Sequence, residues 1–124
     1  MQYLLLIYGN EADRVNATKA DMETMFAQYR DFTQSIVQSG HMKAGDALQP
    51  TTTATTVRVR DGKTLTTDGP FAETREQLGG YYLVEAKDLD EATKLAARIP
   101  GAQVGSIEVR PVMQLPPDYP RPGR

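Results

Sequence analysis

The chain has 124 residues, a formal net charge of −2 and no cysteine. That length suits one domain able to bury a core without staples. The missing cysteine excludes disulfides, zinc-thiolate sites, iron–sulfur clusters and cysteine nucleophiles and fits a cytoplasmic location. The slightly acidic balance argues against nucleic acid as a partner, because phosphate binding needs a basic face.

Tyr3-Leu4-Leu5-Leu6-Ile7-Tyr8 is apolar on both alternating faces and is closed by Gly9-Asn10. Such a run predicts a strand buried on both sides. It is too short to cross a bilayer and lacks the basic leader and cleavage site of a signal peptide, so no membrane association is expected. Residues 18–39 predict a helix. Thr18 and Asp21 can form a capping box. Met22, Met25, Phe26, Tyr29, Phe32, Ile36 and Val37 make one apolar stripe, and Gly40 can end the helix.

Residues 41–48 predict a second strand and 53–60 a third. Asp61-Gly62 then signals a tight hairpin, with 63–67 as the return strand. A turn at Asp68-Gly69-Pro70-Phe71 and a charged segment lead to Gly79-Gly80, which predicts a bulge or a close backbone approach. Residues 81–86 predict a strand. A second helix follows, capped by Asp88, with Leu89, Ala92, Leu95, Ala96 and Ile99 inward, and Pro100-Gly101 stops it. Residues 105–112 predict the last strand. The segment 115–124 holds four prolines and predicts an extended arm.

The order is β-α-β-(hairpin)-β-α-β, an α+β ferredoxin-like pattern with an antiparallel sheet and both helices on one face. The expected division is one domain over 1–113 and a proline-rich tail over 114–124. The other sheet face is bare in a single chain, while the first strand is apolar on both faces. A second copy packing sheet against sheet covers that patch, which predicts a homodimer. A monomer covered by its own tail is the competing solution.

Residues 67–82, Thr67-Asp68-Gly69-Pro70-Phe71-Ala72-Glu73-Thr74-Arg75-Glu76-Gln77-Leu78-Gly79-Gly80-Tyr81-Tyr82, resemble the signature of the DGPF-domain branch of the YCII-related proteins. The opening strand, Gly40-x4-Gly45-x2-Leu48-x-Pro50, Val57-Arg58-x-Arg60-Asp61-Gly62 and Ile107-Glu108-Val109-Arg110-Pro111 extend the resemblance over nearly the whole chain. It implies a dimeric α+β barrel and a superfamily that includes cofactor-free enzymes acting on ring compounds. Neighbouring sigma-factor genes in that branch imply a regulatory alternative. Relatives proposed as enzymes carry a histidine on the first helix. Here that stretch reads Phe26-Ala27-Gln28-Tyr29-Arg30, so that role has no counterpart.

Several residues carry candidate chemistry. Asp68, Glu73 and Glu76 are candidate proton-transfer groups. Arg75, Arg110, Tyr82, Glu108 and His41 are candidate contacts for a small organic ligand. Each also has a plainer role. Asp68 can make an Asx-turn, the charged cluster can form ion pairs, and His41 can sit at a helix-to-strand turn. Strand alternation argues against pairing His41 with Asp46. If Ile107 and Val109 face the helices, Glu108 and Arg110 face the intersubunit space. No His/Cys metal spacing, no EF-hand loop and no phosphate-binding glycine loop is present, which leaves open only a carboxylate-only magnesium or calcium site; no cofactor is expected. The expected function is therefore a cofactor-free small-molecule enzyme of lyase or isomerase type, its pocket between the open sheet face and the DGPF loop. The alternative is a ligand-sensing or protein-binding module with a sigma-factor-related partner.

Overall fold

The computed structural model describes residues 1–121. In chain order the elements are β1 (Gln2–Gly9), α1 (Glu11–Val15), α2 (Lys19–Gln38), β2 (Met42–Ala47), β3 (Thr55–Arg60), β4 (Lys63–Asp68), β5 (Gln77–Glu85), α3 (Leu89–Ala97) and β6 (Ser106–Pro111). A four-stranded sheet runs β2-β5-β1-β6, every neighbour antiparallel, and β3 and β4 pair apart from it. The architecture is α+β and compatible with the ferredoxin-like pattern.

Local chemistry explains most boundaries. Thr18 Oγ1 accepts from the Asp21 N–H and the Asp21 carboxylate accepts from the Thr18 N–H, so the expected capping box starts α2. Thr18→Ala should cost about 1 kcal/mol, read as a lower midpoint in thermal unfolding. Asp61 and Gly62 both take positive φ, 53° and 74°, which matches a two-residue hairpin turn. Asp88 caps α3 through the Glu91 N–H. Pro100 then opens a 3-10 turn, Pro100–Gln103, instead of continuing the helix.

Two elements differ from the sequence reading. α1 was not anticipated; Asn10 caps it by accepting from the Ala12 N–H, and five residues are too few to show a helical period. β5 begins at Gln77, four residues before the expected start, because Gly79-Gly80 lies inside the strand. Ile7 pairs with Gly80 and Tyr8 with Leu78, so Gly79 is the extra residue of a bulge. Beside it, a Cβ on Gly80 would stand 2.9 Å from the Asp46 carbonyl oxygen. The glycine pair thus supplies both the bulge and the close approach.

One face of the sheet carries the core. Tyr3, Leu5, Tyr82 and Val84 pack against Phe32 and Ile36 of α2 and Ala92, Leu95 and Ala96 of α3, with Ile99 just beyond and Ile107 and Val109 at the edge. The other face presents two cross-strand rows. One runs Ala44, Leu83, Leu4, Arg110; the other runs Asp46, Tyr81, Leu6, Glu108. Among the described residues no helix or strand follows Pro111.

Candidate functional site

The apolar stripe of α2 divides in two. Phe32 and Ile36 are buried, but Met22, Met25 and Tyr29 are only half-buried, and Phe26 is 56% exposed. Tyr29 still packs against the edge of the core, but the stripe before it is not buried. That stretch roofs a cleft of about 640 Å³ whose floor is Ile7 of β1, Gly45 and Ala47 of β2 and Gly79, Gly80 and Tyr82 of β5. The three floor glycines keep side chains out of the space. A Cβ on Gly45, for instance, would stand 3.0 Å from the Tyr82 ring. A second cavity, between α2 and the end of α3, is the more open of the two. A volume of this size with mostly apolar walls suits a small organic molecule.

A few polar groups converge on the cleft. Tyr29 Oη accepts from the Gly101 N–H at 3.1 Å. Burial raises the Tyr29 hydroxyl above its ordinary pKa, against the lowering effect of that N–H; Tyr82 adds to the rise and the Arg14 guanidinium opposes it. Tyr82 and Thr33 share a hydroxyl–hydroxyl bond of 2.7 Å, and the Tyr82 ring meets Phe32 edge-on at 5.2 Å. Both tyrosines are therefore held in place by residues of the cleft wall, Gly101 and Thr33.

Most carboxylates nearby are occupied. Glu11 accepts from the Thr51 N–H and from Thr51 Oγ1, both at 2.8 Å, clamping the 3-10 turn Thr51–Thr53 against the rim. Gln77 accepts from the Glu11 N–H and donates to the Thr74 carbonyl, which ties the segment entering β5 to the same rim. Asp21 is used in the α2 cap. Asp46 accepts from Tyr81 Oη at 2.6 Å across the open face of the sheet, and that bond chiefly raises the Tyr81 hydroxyl's pKa.

The residues singled out by sequence fall in different places. Tyr82 lines the cleft. Asp68, Glu73 and Arg75 are exposed around the DGPF turn, and Glu76 accepts from Ser106 Oγ at 2.8 Å. The turn is fastened through Gly69, whose N–H donates to the Ala54 carbonyl and whose own carbonyl accepts from Thr56 Oγ1. Glu108 and Arg110 stand on the open sheet face as a 3.6 Å pair, while Ile107 and Val109 pack on the core. His41 bonds Ser39 Oγ through Nδ1 and Glu91 through Nε2 at 3.2 Å, joining the end of α2 to the start of α3. Asp46 is not its partner.

The cleft therefore lies on the helix-bearing side of the sheet, whereas the sequence reading set a pocket on the open side by the DGPF turn. The reason is local: the glycine-lined floor and the lifted half of α2 leave room on the helix side. Tyr29, legible both in the α2 stripe and as one of five tyrosines able to put a hydroxyl on a cleft, does line it. Arg14 was not singled out; its signal was the Asn10-Glu11 helix start before it. Among the described residues no cluster of three or more His, Cys, Asp or Glu is arranged to hold a metal, and no helix is long and apolar enough to cross a membrane.

The model of the YCII-related domain matches residues 1–116. An uncharacterized protein of Rhizobium meliloti (strain 1021) is 38% identical over 114 residues, which span 90% of this chain and 92% of the relative. With a family model covering almost all of its length and a relative matched nearly end to end, the chain belongs to the YCII-related family.

Proposed function

We propose that this protein takes up a small, mostly apolar organic molecule in the cleft between α2 and the sheet. The unpacked half of the α2 stripe carries the reading. Met22, Met25 and Phe26 belong to an amphipathic face that the protein covers only in part, and an apolar ligand would cover the rest. Cofactor-free proton transfer on the bound molecule, of lyase or isomerase type, is the catalytic form of this proposal. Tyr29 would act as the acid and Asp13 as the base. Asp13 lines the cleft, and its carboxylate has no hydrogen-bond or ion-pair partner among the described residues. One observation favours a second, non-catalytic ligand-sensing form: Glu11, Asp21 and Asp46 are already engaged. In that form a sigma-factor-related protein would be the partner that reads the bound state.

The working unit in this proposal is a cytoplasmic homodimer closed over Leu4 and Leu6, since these face away from the core on the open side and are only half-buried in the single chain. Asp68, Glu73, Arg75 and the Glu108–Arg110 pair would form its polar rim.

A ligand-observed NMR screen of small aromatic and aliphatic compounds tests the cleft. Binders should lose affinity for Ala17→Trp, which fills the cleft mouth, while the variant keeps its melting temperature. No binders, or binders indifferent to Ala17→Trp, would remove the proposal. Following a bound compound by NMR over hours then separates the two forms, because only an enzyme converts it.

A further inference from the structure

The chemical character of the ligand follows from two side chains that line the cleft. Tyr29 Oη already accepts a hydrogen bond from the Gly101 N–H. Its own proton therefore remains to be donated, and among the described residues no acceptor takes it. The hydroxyl can sit so close to Gly101 because that residue has no side chain; a Cβ there would stand 2.7 Å from Oη. Arg14 is the second group. One of its terminal nitrogens lies over Gly79, 3.8 Å from where a Cβ would be. Among the described residues its guanidinium has neither an ion-pair partner nor a hydrogen-bond acceptor. It is nonetheless close enough to influence Tyr29, and it is the charged side chain felt by that hydroxyl.

Three of the four acidic residues of the cleft are engaged elsewhere: Glu11 is turned to Thr51, Asp21 to the start of α2, and Asp46 to the far face of the sheet. The carboxylate of the fourth, Asp13, has no partner among the described residues and forms no ion pair with Arg14. Two unused donors, one of them cationic, thus share a site with the Gly79 bulge beneath and the Met25 and Phe26 side chains above. Such a pair matches an oxygen anion, because a hydroxyl and a guanidinium can bond one carboxylate together.

We infer that the ligand is a small organic acid, its apolar body under the first half of α2 and its carboxylate held jointly by Arg14 and Tyr29. This rests on the cleft being a ligand site. Arg14 stands at the exposed rim, so its bond to the acid is screened and acts mainly on affinity and orientation.

The test uses matched probes, naphthoate and its neutral amide naphthamide, titrated into the full-length protein by calorimetry. Binding is located by amide NMR shifts at Gly79, Gly80 and Gly101. The acid should bind about tenfold more tightly than the amide, the size of one charge-assisted hydrogen bond. Arg14→Gln should abolish that preference, and Tyr29→Phe should shrink it. Arg14→Lys should restore part of it, since an ammonium keeps the charge but not the planar fork. If both probes shift the same three glycines with equal affinity, the cleft reading survives and the acid inference fails. If neither probe shifts them at millimolar concentration, both fail. If the preference persists in Arg14→Gln and Tyr29→Phe, these two residues are not its source and the inference is overturned.

Discussion

Gly105→Ala is expected to lose about 3 kcal/mol of stability, the upper range for forcing an extra methyl into packed structure. A Cβ on Gly105 would be driven into the Tyr8 carbonyl oxygen and would also crowd the Gly9 Cα at 3.2 Å. The atoms met are backbone, so no side-chain rotation relieves the clash. The site has little freedom of its own, because the Gly105 N–H donates to the Gly101 carbonyl at 2.8 Å and β6 starts at the next residue. Either β6 shifts against β1, disturbing the Tyr8–Ser106 and Ile7–Ile107 pairs, or the 3-10 turn before it moves. In thermal unfolding the midpoint should fall by about 10 °C or more for a chain of this size. Gly9→Ala is the control from the opposite side of the same contact. Its Cβ would meet nothing within 4 Å, so a change below about 0.5 kcal/mol is expected. Equal effects at the two positions would show that this contact is not what limits the site.

Leu6→Glu is expected to turn the proposed dimer into separate chains. Leu6 lies on the open face between Tyr81 and Glu108. A glutamate there would be placed directly opposite Glu108, and like charges across a strand pair repel. Closing a second sheet over it would also strand a carboxylate without a partner, at a cost of several kcal/mol. The fold of the single chain should survive, since Leu6 belongs to no buried cluster of the helix side. Sedimentation equilibrium should give twice the 13.7 kDa chain mass for the wild type and the chain mass itself for Leu6→Glu. A wild type that sediments as one chain at micromolar concentration would end the dimer proposal.

Much of the fold was legible because its signals are local. Asp61-Gly62 demands positive φ, Thr18 and Asp21 must be three apart to exchange bonds, and Gly79-Gly80 announces a place where side chains do not fit. The inward set of α3 followed from spacing, except that Leu89 in its first turn stays exposed. The site was less legible, and for one reason. A periodic apolar stripe has the same appearance whether protein or ligand covers it. Met22 to Val37 read as one continuous core face, yet only Phe32 and Ile36 became core. Nothing in the spacing separates Phe32 from Phe26. Arg14 was still harder to find, since its position depends on a five-residue helix and on a bulge in a strand more than sixty residues later. The DGPF segment attracted attention through its charges. The structure ties its end into the rim through Gln77 and fastens its turn through Gly69.

The division within α2 has a consequence for how such a protein can change. Beyond position 32 the helix anchors the architecture, and altering Ile36 would leave a void that the whole domain must bear. Before Tyr29 the same helix contributes no buried residue. Substitutions at Met22, Met25 or Phe26 would reshape what the molecule admits while leaving its foundations alone. If the cleft takes a ligand as proposed, one continuous helix keeps durability and selectivity in separate turns, so that a descendant could exchange its guest without rebuilding its house.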